Sequence, residues 1–124
     1  HRDLHSFPTR RSSDLVDLAK KAFPNYKGRK FFLSTRIPQV LDSYWDGGSR
    51  DYYTFVEIAT GKRLEVGSNH PMFEKEKPRN LGGQLPDGVA LVRRSIFMGK
   101  ETGLEVMVNP KELNPKWIEA GVER

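Results

Sequence analysis

Residues 43–53, SYWDGGSRDYY, set a tryptophan, three tyrosines, two aspartates and an arginine around a pair of glycines. Those types at that spacing suit recognition chemistry. Tyr44, Trp45 and Tyr53 have rings that stack on a nucleobase or a sugar, and Arg50 can hold a phosphate or carboxylate. The amides of Gly47 and Gly48 can form a small anion nest. Arg93 and Arg94 offer two further charges from a later segment. The same composition also describes an ordinary β-hairpin, with Asp and Gly making the turn and the aromatics filling a core.

Catalytic chemistry is more sparsely represented. Asp42, Asp46, Asp51, Glu57 and Glu65 can supply the two carboxylates of an acid and base pair, as in a hydrolase, provided the fold sets them at the right separation. Acids beside strands are equally at home in solvent. His70, in SNHPMF, has no nucleophile or orienting carboxylate near it in sequence. Gly99, Lys100, Glu101, Thr102 and Gly103 do not make a phosphate loop, because that motif needs a glycine where Arg94 stands and a hydroxyl where Glu101 stands. Gly47, Ser49 and Asp51 miss the last position of a nucleophile elbow. There is no cysteine, hence no thiolate nucleophile, disulfide or Cys-based zinc site. Neither a cofactor nor a metal site is expected.

The elements that must position these residues are mostly strands. VDLAKKAF, 16–23, has apolar residues at helical spacing and is stopped by Pro24. KFFLST, 30–35, and VLDSYW, 40–45, read as strands, with DGGS, 46–49, as a tight reversal. RDYYTFVEIA, 50–59, is the clearest strand. Tyr52, Thr54, Val56 and Ile58 fall on one face and Tyr53, Phe55 and Glu57 on the other, the pattern of a central strand. KRLEV, 62–66, returns after a turn at Thr60 and Gly61. Residues 67–88, rich in Pro and Gly, read as a long loop, either a partner-binding segment or a connector. VALVRRSIFM, 89–98, and LEVMV, 104–108, form a second hairpin across GKETG. Asn109 before Pro110 and Asn114 before Pro115 each predict a capped helical turn, the second carrying Trp117 and Ile118. The expected fold is α+β and mostly β: a bent antiparallel sheet of five or six strands, with a shortened N-terminal helix and C-terminal helical turns. A small, partly closed barrel is the alternative.

The opening stretch, HRDLHSFPTRRSSDL, is set apart. It holds half of a kinase catalytic loop, but Pro8 stands where the metal-holding Asn belongs. His1 and His5 have metal-sharing spacing without the accompanying acid, and Arg10 to Ser13 look like a basic phosphorylation target. The whole stretch resembles the translation of a common sequencing-adapter DNA, and the resemblance ends at Leu15. The first methionine is Met72. Residues 1–15 are therefore expected to be an artefact outside the fold, with 16–124 a single small domain whose native beginning is missing. Without them the chain keeps 18 basic and 14 acidic residues and one histidine, His70.

No run approaches the roughly 20 apolar residues of a membrane-spanning helix. The absence of cysteine is compatible with a cytoplasmic, reducing location. The positive balance is mild and spread over Lys20 and Lys21, Lys27 to Lys30, Lys62 and Arg63, and Arg93 and Arg94. It favours polyanions as partners, though an equal charge is common on proteins that bind none. Three expectations follow. One is a binding module for nucleic acid or another polyanion using Tyr44, Trp45, Arg50, Tyr53, Arg93 and Arg94 on one exposed face. Another is a protein-interaction domain using the 67–88 loop or a sheet edge. The third is a carboxylate-based hydrolase, placed behind the other two because His and Cys chemistry is nearly absent.

Overall fold

A computed structural model of the chain describes residues 12–28, 30–39, 41, 44–46, 48–65 and 81–116, with backbone alone for 12, 13 and 44–46. Helix α1 is Ser12–Ala22, followed by strands β1 (Phe31–Ser34), β2 (Tyr44–Asp46), β3 (Ser49–Glu57), β4 (Arg63–Leu64), β5 (Val89–Phe97) and β6 (Lys100–Met107). A 3-10 turn, Pro110–Glu112, closes the described chain's ordered elements. The structure is mostly β, as the strand patterning implies.

Five strands lie in the order β1-β6-β5-β3-β2, and the short β4 pairs β3 on the side away from β5. The sheet does not close, so the barrel alternative is set aside. It is also mixed, not purely antiparallel: β1 runs parallel to β6, with Phe31 opposite Leu104 and Ser34 opposite Met107. The physical reason is connectivity. No tight turn joins β1 to its neighbour, and a pair brought together over a long stretch of chain is not forced antiparallel.

The strands β3, β5 and β6 are apolar on both faces over half their length. On one face, Val56, Ile58, Ala90, Val92, Leu104, Val106 and Val108 meet α1. On the other, Phe55, Val89, Leu91 and Met107 are covered by Leu85, with Ile37, Leu41 and Leu81 packed alongside. Strand alternation produces this division directly, since successive side chains point to opposite sides. Each fully buried Leu or Val contributes about 1.5–3 kcal/mol. Val89 through Val92 are all inaccessible to solvent, which fixes β5 as the centre of the sheet.

The helix buries Leu15, Leu18, Ala19 and Ala22, a single stripe at i, i+3, i+4 and i+7. Asp14 in its first turn and Lys20 and Lys21 in its last oppose the helix dipole favourably. It begins at Ser12, within the stretch set apart by the sequence, because the register that buries Leu18 carries Leu15 into the same core. Two helix-cap expectations part company at the other end. Asn114 Oδ1 accepts from the Lys116 amide at 2.9 Å, as a cap should. Asn109 makes no cap; its Nδ2 donates to the Leu85 carbonyl at 2.7 Å and to Asp87 Oδ1 at 3.2 Å, tying the chain after β6 to the loop before β5. Trp117, Ile118, His70 and the 67–80 part of the long loop lie outside the described residues.

Candidate binding site at the hairpin end of the sheet

The turns of the β2–β3 and β5–β6 hairpins lie side by side at one end of the sheet. Ser49 pairs with Phe97, and the Met98 amide donates to the Gly48 carbonyl at 2.9 Å. Tyr44 and Trp45 belong to this end through backbone pairing with Asp51 and Arg50, and their side chains lie outside the described residues. The other four sequence candidates are split between the two faces. Arg93 and Arg94 are consecutive in β5, and the period of two that alternates its apolar residues separates them as well.

On the face away from the helix, Arg93 pairs with Glu105 at 2.6 Å and Asp51 at 3.6 Å, beside Tyr53. Arg93, Glu105 and Tyr53 border a crevice of about 240 Å³ whose other wall is Arg36, Ile37 and Pro38. Burial pushes the Tyr53 hydroxyl above its ordinary pKa, against the opposing pull of the Arg93 charge. Asp51 and Glu105 are thus brought together, but with a guanidinium between them. That is an ion-pair cluster and not two carboxylates facing a shared substrate. Glu57 accepts from the Thr60 hydroxyl at 2.7 Å, Glu65 is exposed, and Asp42 and the Asp46 side chain are outside the described residues.

On the helix face, Arg94 donates to Glu101 at 2.9 Å and lies over the rings of Phe23 and Tyr52, 5.1 and 5.6 Å from their centroids. Arg50 donates to the Tyr52 hydroxyl at 3.2 Å. Arg50 and Arg94 therefore share Tyr52, which was read as a strand residue and not as part of a site. Arg94 serves as a packed and paired bridge between Phe23 just after α1, Tyr52 of β3 and Glu101 of β6.

An open concavity of about 880 Å³ lies at the same end, lined by Asn25, Lys27, Lys30, Phe97, Met98 and Lys100, with Glu101 as its acid. Its origin is a mismatch in strand length. β1 pairs with β6 only from Leu104 onward, so among the described residues the Lys100–Gly103 stretch of β6 has no strand on that side. The loop after α1 stands there instead. It is held by the Lys27 amide donating to Glu101 Oε2 at 3.4 Å, the Tyr26 hydroxyl donating to the Lys30 carbonyl at 2.9 Å, and the Leu104 amide donating to the same carbonyl at 3.1 Å. Gly28 is required in this loop because a Cβ there would collide with the Tyr26 ring. Burial, then the nearby Glu101 carboxylate, raises the Tyr26 pKa.

The other wall is the β5–β6 turn. Phe97 pairs with Lys100, leaving Met98 and Gly99 as a two-residue turn with φ of 51° and 80°. Two positive φ values define the primed turn that fits a twisted hairpin, for which Asn-Gly is the comfortable choice. Here a methionine occupies the strained first position. Phe97 and Met98 are 51% and 69% exposed, the two large apolar side chains presented to solvent among the described residues. Around them, Lys27, Lys30 and Lys100 enter no ion pair among the described residues. Such a surface can hold anionic oxygens and a flat or apolar group together.

Lys27, Lys30, Phe97, Met98 and Lys100 were absent from the sequence candidates. One signal did point to them: an apolar pair, Phe97 and Met98, directly before a turn glycine and a lysine. Among the described residues no cluster of three His, Asp or Glu side chains is arranged to hold a metal, and no helix is long and apolar enough to cross a membrane. Fold and site together define a small, mostly β domain, an open mixed sheet with one covering helix and a basic, aromatic concavity at its hairpin end. No protein family, curated protein or solved structure matches the chain.

Proposed function

We propose that this chain is a binding module for a polyanion, with nucleic acid as the ligand class, and that the hairpin end of the sheet is its contact surface. The observation that carries this reading is the concavity in which Lys27, Lys30 and Lys100 surround Phe97 and Met98. Lysines that enter no ion pair among the described residues are available to replace condensed counterions on a phosphate chain. The Tyr44–Trp45 strand borders this end through its pairing with Arg50 and Asp51 of β3 and extends the surface along the β2–β3 hairpin. Arg94 adjoins it through its pair with Glu101, while Arg93 and Tyr53 lie on the other face, where Arg93 is paired with Glu105 and Asp51.

The reading is tested by titrating the chain into a fluorescently labelled oligonucleotide at two salt concentrations a factor of four apart. Three lysines on phosphates give a slope of about −2 in log K against log salt, hence a loss of roughly fifteenfold in affinity at the higher salt. Changing Lys27, Lys30 and Lys100 together to Gln removes that salt dependence. An absence of binding at low salt, or binding indifferent to salt and to the three lysines, contradicts the reading.

A further inference from the structure

We infer that the ligand is single-stranded and that one unpaired base enters the concavity to stack on Phe97; this rests on the polyanion reading and narrows it. A duplex presents phosphates and groove edges, with its base faces already stacked. Against such a ligand the lysines would act and the exposed ring would not. A single strand offers both parts at once, and aromatic stacking accepts any base because each has a π-face.

Three features of the site favour that occupant. The first is shape: at about 880 Å³ the concavity is of ligand size, and Phe97 lines it from one wall while Lys27 and Lys30 line it from the other. The second is the turn. Met98 accepts a backbone conformation that side chains rarely adopt, φ 51°, and its exposed side chain lies against Gly48, where an added Cβ would stand 2.7 Å from its sulfur. The strain keeps a polarizable apolar group beside Phe97 where Asn would relax the backbone. The third is polarity within the pocket. Asn25 brings to the lining an amide that can both accept and donate, which suits the mixed donors and acceptors of base edges.

The test measures anisotropy of a short labelled single strand, its duplex and an abasic strand of the same length, with wild type and with Phe97→Leu. The single strand is expected to bind more tightly than the duplex and the abasic strand. Phe97→Leu is expected to cost roughly five- to thirtyfold on the single strand alone. Phe97 is half exposed, so the leucine variant keeps its fold, and an unchanged thermal midpoint by circular dichroism verifies this. Equal, salt-dependent affinity for all three probes, indifferent to Phe97→Leu, overturns the stacking inference and leaves the polyanion reading standing. No binding to any probe at low salt overturns both. Binding to phosphatidylserine vesicles that is lost in Phe97→Leu, without oligonucleotide binding, overturns the inference in favour of a lipid surface.

Discussion

The two halves of β3, β5 and β6 are built from the same ladder and serve different ends. Toward one end, Phe55, Val56, Ile58, Val89 to Val92, Leu104 and Val106 to Val108 are apolar and buried, divided between the two faces. Toward the other, Arg50 to Tyr53, Arg93 to Phe97 and Lys100 to Thr102 carry charges, phenols and an exposed ring. The backbone pairing continues almost unchanged through both, with one irregularity near Ser95 and Ile96 where Thr102 is left unpaired. A bulge there adds twist and re-aims the hairpin tip. The closed half supplies the stability against which the open half keeps a strained turn and, among the described residues, lysines that enter no ion pair.

The sharpest way to break the contrast is to cut the closed half. Leu91→Ala, at a side chain with no solvent access, is expected to cost about 2–5 kcal/mol in urea denaturation, a large share of a small domain's stability. Phe97→Leu at the open half is expected to leave the same denaturation curve in place.

The boundary between halves gives an intermediate effect. Arg93→Ala leaves Glu105 and Asp51 without their shared cation, and Arg93 is about one-third exposed, which moderates the loss. We expect about 1–2 kcal/mol of destabilisation, smaller at high salt, with little change in oligonucleotide affinity. A large loss of affinity at unchanged stability would move Arg93 into the binding surface.

A smaller effect, of opposite sign, is expected at the tip. Met98→Asn relieves the left-handed strain and is expected to raise stability by about 1 kcal/mol while weakening single-strand binding. If it stabilises and binding is unchanged, Met98 has no part in the site.

The smallest effect concerns pH. Tyr53 has a raised pKa because burial disfavours its charged form. The unfolded chain releases that proton first, near the ordinary value of about 10, so stability is intact below that pH and declines as pH rises through the folded-state value. Tyr53→Phe should flatten this alkaline decline in urea midpoints measured across that range. An unchanged decline would assign it to other groups.

Much of this fold was legible in the sequence because the closed half obeys local rules. The 50–59 strand was read as buried on both faces for part of its length, near its start; Val56 and Phe55 do lie in opposite clusters, but the buried part is the far end and the start is half-buried. The stop of α1 before Pro24 was equally plain. Pairing was less legible, because nothing local in Phe31 to Ser34 encodes a parallel partner seventy-odd residues away. The GKETG stretch illustrates a different limit: its composition is that of a turn, yet the turn is Met98–Gly99 and β6 already begins at Lys100. The site was legible in composition and not in placement. Aromatic and basic residues do gather at the hairpin end, but Arg93 and Arg94 were grouped although strand alternation separates them, and each is held by an acid on the neighbouring strand, Glu105 and Glu101, that no local pattern pairs with it. Lys27 and Lys30 were visible only as a scattered cluster, since the short β1 that leaves room for them beside β6 is a property of pairing.

The most direct test of the division is amide chemical-shift mapping of the isotope-labelled chain titrated with a short single-stranded oligonucleotide. The account expects saturable shifts concentrated in residues 25–30 and 96–102, with the 55–58 and 89–92 amides unmoved. Shifts centred on the closed half, or confined to the Arg36–Arg93 crevice on the other face, would contradict it.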